Sequence, residues 1–259
     1  MFKLLTFMIL CVLVLPAAVF GRTCDDLGGG QAYQPMDFNG STVCFVFTKT
    51  PTEEGQLSRD PDGIAIYSLS KSEKSRLVYE FPYAGTKGKI NDAFAIFVSA
   101  ASEEMFFVIH SVEAPRAWDV ISDVYDVSVF VFEGGALVRD ELRSGFFDMG
   151  GDMKDNVGEL SYVYPYKDKI SVSKAVRSIL FEVAGMPVPI SGVVKEKSFL
   201  YGSDTEPVIQ EPSRVYLIKG DEVAVEQSMA GWCKVSFVTK VKRVQKWMQC
   251  KSIAFSERQ

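Results

Sequence analysis

The sequence predicts an all-β protein in two parts. The first is an N-terminal antiparallel β domain, a sandwich or a meander, with a partial propeller also compatible; the second is a small β-barrel at the C-terminus. Two observations lead there. Through most of the chain, short apolar, β-branched and aromatic runs alternate with polar turn clusters, and each run has strand length, not helix length. Then, at residues 184–192, AGMPVPISG places two prolines and two glycines in nine residues, which breaks any continuing strand and marks a boundary. At 259 residues, with 47% hydrophobic and 24% charged residues, the chain can bury one large core or two smaller ones, and its composition is not that of a disordered protein.

Residues 1–21 read as a secretory signal peptide. A single Lys3 precedes an uncharged, almost wholly apolar run from Leu4 to Phe20, and Val19 and Gly21 are small-residue neighbours of a cleavage point near Gly21. The run lies at the short end of what spans a bilayer, so a retained anchor is the competing reading. A lipid anchor at Cys24 lacks the apolar, small pattern expected ahead of it. No later stretch is long and uncharged enough to cross a membrane, so the expected compartment is the periplasm. Cleavage removes Cys11 and leaves Cys24, Cys44, Cys233 and Cys250. Four cysteines allow three connectivities; chain proximity favours Cys24 with Cys44 and Cys233 with Cys250, which an oxidising compartment permits. These spacings do not suit a metal site, and His110 is the only histidine available to help.

The N-terminal domain, residues 22–183, should be built from the runs STVCFVFTK, DGIAIYSLS, SRLVYEFP, DAFAIFVSA, EMFFVIHSV, VYDVSVFVFEGG, ALVRDELRS and ELSYVYPY. Asn39-Gly40, Asp62-Gly63, Gly134-Gly135 and Gly150-Gly151-Asp152 supply turns between them. Residues 64–81 and 128–144 look like similar hairpins, too few to establish a repeat. Asn39-Gly40-Ser41 also matches a glycosylation acceptor, but a turn before a strand already explains it.

Charge changes sign at the linker, residues 184–192. Residues 191–259 hold 11 basic against 8 acidic side chains, giving +3, whereas residues 22–190 hold 16 against 25, giving −9. A field of that sign makes nucleic acid a poor partner for the larger domain.

In the last domain, residues 193–259, Val215 and Leu217, Val223 and Val225, and Val235 and Phe237 alternate as inward positions on three strands. Lys219-Gly220-Asp221 and Ala230-Gly231 form the turns, and QKWMQC supplies a fourth strand. Pairing Val235 with Met248 sets Cys233 opposite Cys250 on the same face, within reach of a cross-strand disulfide. The arrangement carried by Leu217, Lys219, Gly220, Val223, Val225, Gly231, Trp232, Val235, Trp247 and Ile253 resembles a bacterial SH3-like barrel domain, over roughly residues 191–255, about a quarter of the chain. Lys246 stands where that family usually has glycine before the final tryptophan, and VTKVKRVQ is longer and more basic than the family pattern. The resemblance implies binding of peptidoglycan or partner proteins, not catalysis.

Two features of this module are candidate binding elements. Trp232 points away from Cys233 and Val235, so it is expected to be partly buried and to offer an aromatic platform; alternatively Trp232 and Trp247 only cover the barrel's outer edge. Lys240, Lys242, Arg243, Lys246 and Lys251 form a basic cluster that would attract an acidic partner or cell-wall carboxylates, form a solvated loop guarding a strand edge, or lean on the acidic first domain.

No catalytic residues are assigned and no cofactor or metal is expected. G-x-S-x-G, H-E-x-x-H and a phosphate-binding glycine loop are absent, and no Cys-His pair survives disulfide formation. His110 reads as a strand residue. The loop DMGGDMKDN, with Asp148, Asp152, Asp155 and Asn156, lacks EF-hand spacing and reads as a turn. The expected function is that of an exported, non-enzymatic binding protein of the bacterial envelope, an inhibitor or immunity protein against a toxin acting in the periplasm. The alternatives are a peptidoglycan-associated accessory protein and, less favoured, a hydrolase with a carboxylate pair among the 33 acidic residues.

Overall fold

The computed structural model describes residues 23–51, 55–59, 63–70, 75–83, 86–98, 103–114, 121–155, 157–182, 184, 189–202, 212–238 and 242–255. Residues 1–21, read as a signal peptide, together with Asp62, Asn156, Lys240 and residues 185–188 of the expected linker, lie outside the described residues. After a short 3-10 helix, Cys24–Leu27, the first sheet is the meander β1 (Gln31–Phe38), β2 (Ser41–Thr48), β3 (Gly63–Leu69), β4 (Ser75–Glu80), in that order. Asn39 (φ 47°) and Gly40 (φ 78°) make the expected two-residue turn, whose positive φ at both positions matches the twist of the strands it joins.

A second antiparallel sheet runs β5 (Gly88–Val98), β6 (Glu103–Val112), β7 (Val124–Glu133), β8 (Ala136–Arg139), and β9 (Met149–Gly150) pairs with β7. The two sheets stack as a sandwich: Phe38, Phe45, Ile64 and Ile66 of the first meet Ile90, Phe106, Val108 and Phe130 of the second in one buried cluster. The run MFFVIHSV in β6 is buried at every position, because both faces of this central strand are covered.

What covers the other face departs from the all-strand expectation. The run ALVRDELRS stops being a strand at Arg139, where the Asp140 carboxylate accepts from the Arg143 N–H and starts helix α1 (Glu141–Phe147). The run ELSYVYPY is a strand only over β11 (Leu160–Tyr162), paired with β10 (Met153–Lys154). Helices α2 (Lys169–Val176) and α3 (Ile179–Glu182) follow, the first opened by a capping box between Asp168 and Ser171. Phe146, Phe147, Tyr164, Val172 and Phe181 from these pieces pack on Phe107, Ile109, Val127 and Val129, the outer face of the second sheet.

The C-terminal part is one antiparallel sheet in the order β14 (Pro212–Leu217), β13 (Ser198–Tyr201), β17 (Arg243–Gln249), β16 (Trp232–Val238), β15 (Glu222–Met229), β12 (Ile190–Val194), β18 (Ile253–Phe255). Strand β12 thus begins inside the 184–192 stretch. Val194, Leu200, Leu217, Val223, Val225, Val235, Met248 and Ile253, drawn from every strand, share one core, so the sheet wraps around its inner face. It is not a closed barrel: among the described residues no pairing joins β14 to β18.

Both cysteine pairs are bridged as chain proximity favours, Cys24 to Cys44 and Cys233 to Cys250, with Cα atoms 5.5 and 5.0 Å apart. The register behind the second bridge differs from the expectation. Cys233 faces Met248 and Val235 faces Lys246, a slip of two residues, which preserves which face each side chain takes. Cys250 has already left the strand for a 3-10 turn (Cys250–Ser252), donating its N–H to the Gly231 carbonyl at 2.9 Å, and so reaches Cys233 diagonally. No helix among the described residues is long and apolar enough to cross a membrane.

Candidate functional site

The C-terminal sheet has an outer face with two ends. At one end stand Trp232 and Trp247, only 1% and 0% exposed. They do not form an accessible platform, nor do they line a solvent-facing edge. They enter the core that lies over the second N-terminal sheet, with Trp232 5.5 Å from the Tyr162 ring and 5.0 Å from the Tyr201 ring. Neither indole Nε1 has a hydrogen-bond partner among the described residues.

The turn beside Trp232 fastens this contact. Ala230 sits at φ 50°, in the left-handed region that a non-glycine residue adopts only when its surroundings hold it there. Its N–H donates to the Phe146 carbonyl at 3.0 Å, and its carbonyl accepts from the Tyr162 hydroxyl. A Cβ on Gly231, the next residue, would come within 2.9 Å of the Pro165 ring. The alternating tyrosines of YVYPY form the receiving layer: the Tyr164 hydroxyl donates to the carbonyls of Phe147 and Asp148, and burial raises the pKa of Tyr162, Tyr164 and Tyr166 alike. Sequence reasoning missed this junction. Its one legible trace was three tyrosines at every second position.

The basic residues do not gather into one patch. Arg243 donates to the Glu226 carboxylate at 3.0 Å and to the Ser236 hydroxyl at 2.7 Å, and Gln245 holds the other oxygen of Glu226. Lys246 donates to the Gly202 carbonyl at 2.7 Å. Lys242 is exposed just before β17, and Lys251 is exposed in the last 3-10 turn. Arg243 and Lys246 are therefore committed to different neighbours.

At its other end the same outer face is open. A groove of about 720 Å³ runs across β12, β15, β16 and the start of β17, lined among others by Val193, Glu222, Ala224, Phe237, Val238 and Arg243. Val238 is 83% exposed there and Val193 41%. Of the polar lining, Arg243 is held by Glu226 and Ser236, and Gln245 holds Glu226 in turn, so the Arg243 guanidinium is fixed in position before any group arrives. Apolar side chains beside fixed polar groups suit recognition of a peptide segment.

Groups with catalytic potential are placed otherwise. His110, Asp126 and Ser128 point between the two stacked sheets and are 3%, 6% and 0% exposed. His110 stacks on Phe81 at 4.5 Å, and burial pushes its pKa down to about 4. Asp126 accepts from the Ser128 hydroxyl at 3.0 Å, the Arg139 Nε donates to that same hydroxyl at 3.2 Å, and burial raises the Asp126 carboxyl. The arrangement ties strands together inside the sandwich. In the acidic loop, Asp152 pairs with Lys167 and accepts from the Tyr164 N–H, while Asp155 accepts from the N–H groups of Val157 and Glu159. Asp148 ends helix α1. Among the described residues no three metal-ligating side chains converge. Compared with known proteins, the chain matches no family model, no curated protein and no solved structure.

Proposed function

We propose that the chain is an exported binding protein of the bacterial envelope that acts by protein–protein contact, as an inhibitor of another protein such as a toxin acting in the periplasm. The observation that carries the reading is the open groove between Val193, Glu222, Val238 and Arg243, which exposes large apolar side chains next to a preset ion-paired rim. Two further features support it. The two disulfides suit an oxidising compartment, and the second domain is fastened to the first through Ala230, Trp232 and Trp247, so the groove is held on a rigid base that costs little ordering entropy on binding.

The test is capture of partners from the native envelope by the tagged chain lacking residues 1–21, alongside the variants Val238→Asp and Glu222→Lys. One protein retained at equal stoichiometry by the parent chain, and lost from both variants, is the expected result. Retention of muropeptides instead, unaffected by either change, would move the function to cell-wall binding and reject the groove.

A further inference from the structure

The hairpin of β13 and β14 carries a second surface, remote in register from the groove. Phe199 and Tyr216 face each other across the two strands, with ring centroids 6.1 Å apart, and Ser198 pairs with Leu217, which puts Lys197 beside Ile218. Leu217 turns inward to the core, so Tyr216 and Ile218, on either side of it, turn outward. Phe199, Tyr216 and Ile218 are 44%, 47% and 52% exposed, a cluster of large apolar groups on a small face. The Lys197 ammonium lies 4.4 Å from the Tyr216 ring centroid and 5.4 Å from that of Phe199, so its charge is set at the middle of the aromatic pair.

Among the described residues, the charges around this face are unbalanced in a way that selects an occupant. Lys197, Arg214 and Lys219 are exposed, and no carboxylate pairs with any of them among the described residues. Of the acids near this face among the described residues, Glu196 accepts from the Ser252 hydroxyl and Asp221 accepts from the Ile218 N–H at 2.8 Å. The strand edge itself is a poor template, since the Ser213 hydroxyl accepts from the Val215 N–H and donates to the Val215 carbonyl. Side chains, not an added strand, must therefore provide the contact.

From this juxtaposition we infer that the Lys197, Phe199, Tyr216 and Ile218 face docks a short acidic segment of a partner protein, an apolar anchor on the aromatic pair with flanking carboxylates at Lys197, Arg214 and Lys219. The formal charge of −9 on residues 22–190 would oppose a uniformly acidic partner, but screening confines that field to about 8 Å at physiological salt, so the local charge of the face decides for a short segment. The inference rests on the binding reading above only in invoking a protein partner, and it uses a different surface.

The experiment is selection of short random peptides displayed on phage against the chain lacking residues 1–21, followed by titration of the enriched peptides as synthetic compounds. Enrichment of Asp and Glu around an aromatic or aliphatic residue is expected, with affinity falling about tenfold or more in Lys197→Glu and in Tyr216→Ala, and falling as salt rises. Val238→Asp, in the groove, should leave it unchanged. Lys197→Gln should fall between parent and Lys197→Glu, and unchanged thermal melting of each variant would show that the fold is intact. Peptides without acidic enrichment, or binding indifferent to Lys197 and Tyr216, would overturn the inference and leave the lysines as guards of a strand edge. Peptides that lose binding in Val238→Asp alone would also overturn it, while supporting the groove.

Discussion

Replacing Tyr162 by Phe removes one hydroxyl where the C-terminal sheet meets the N-terminal part, and its consequences are calculable. The Ala230 carbonyl that the hydroxyl serves belongs to a residue 9% exposed and locked at φ 50°, so water cannot readily take the vacated place. An orphaned buried acceptor costs about 1–3 kcal/mol, and a loss of each kcal/mol lowers Tm by about 2–4 °C in a protein of this size. The same residue leaves a second signature at high pH. Its folded pKa is raised by burial first and then by Tyr166, Asp152 and Asp148. The unfolded chain therefore releases the Tyr162 proton above about pH 10 while the folded chain keeps it, so stability falls with rising pH by up to about 1.4 kcal/mol per unit for each such tyrosine. Tyr162→Phe should be less stable at neutral pH and have a shallower alkaline slope, the two curves converging. Urea unfolding followed by tryptophan fluorescence between pH 7 and about pH 11 reads both. A neutral-pH loss under about 0.5 kcal/mol together with an unchanged alkaline slope would refute the latch, since a surface tyrosine behaves that way.

His110 gives the opposite pH dependence. Its folded pKa of about 4 lies below the ordinary 6.5, so the stability it contributes is present above 6.5 and drains away as pH falls toward 4, by about 3 kcal/mol in all. Asp126, shifted upward, offsets part of that loss at the acid end; His110→Gln should flatten the profile measured by urea titration. Cys233→Ala with Cys250→Ala opens a bridge across a separation of 17 residues and should lower stability by about 3 kcal/mol, visible as a drop in melting temperature under non-reducing conditions. Val238→Asp, at a position 83% exposed, should change stability by no more than about 0.5 kcal/mol while abolishing capture of the partner. Expressing residues 189–259 alone should give a piece that aggregates, because it bares the Trp232 and Trp247 face, with light scattering of the isolated piece as the readout.

The legible parts of this fold were those that local chemistry decides. Asn39-Gly40 demanded a tight hairpin, alternation in β15 and β16 placed Val225 and Val235 inward, and residue parity kept the correct faces even where the Cys233 register slipped by two. Residues 169–182 were harder, since Val172 and Val176 are buried one helical turn apart, and Phe181 in the next helix, but sit among serines and lysines that also suit a loop. Asp140 hid a helix start inside what read as a strand, because the apolar run Ala136-Leu137-Val138 leads directly into the charged run Arg139-Asp140-Glu141 with no glycine or proline to mark a break. The fate of Trp232 was not legible at all. Parity showed that it leaves the core of its own sheet, but whether solvent or the N-terminal part waits on that face depends on tyrosines about 70 positions away in the chain, a relation no local pattern encodes.

The two disulfides join cysteines that are consecutive along the chain, Cys24 with Cys44 and then Cys233 with Cys250. A polypeptide delivered across a membrane from its N-terminus would present the first pair long before the second emerges. Each thiol then meets its correct partner as the only one at hand, and wrong pairings have no occasion to form. Such an order of arrival makes oxidative maturation a matter of sequence timing, with simple oxidants sufficient and bond-shuffling catalysts superfluous.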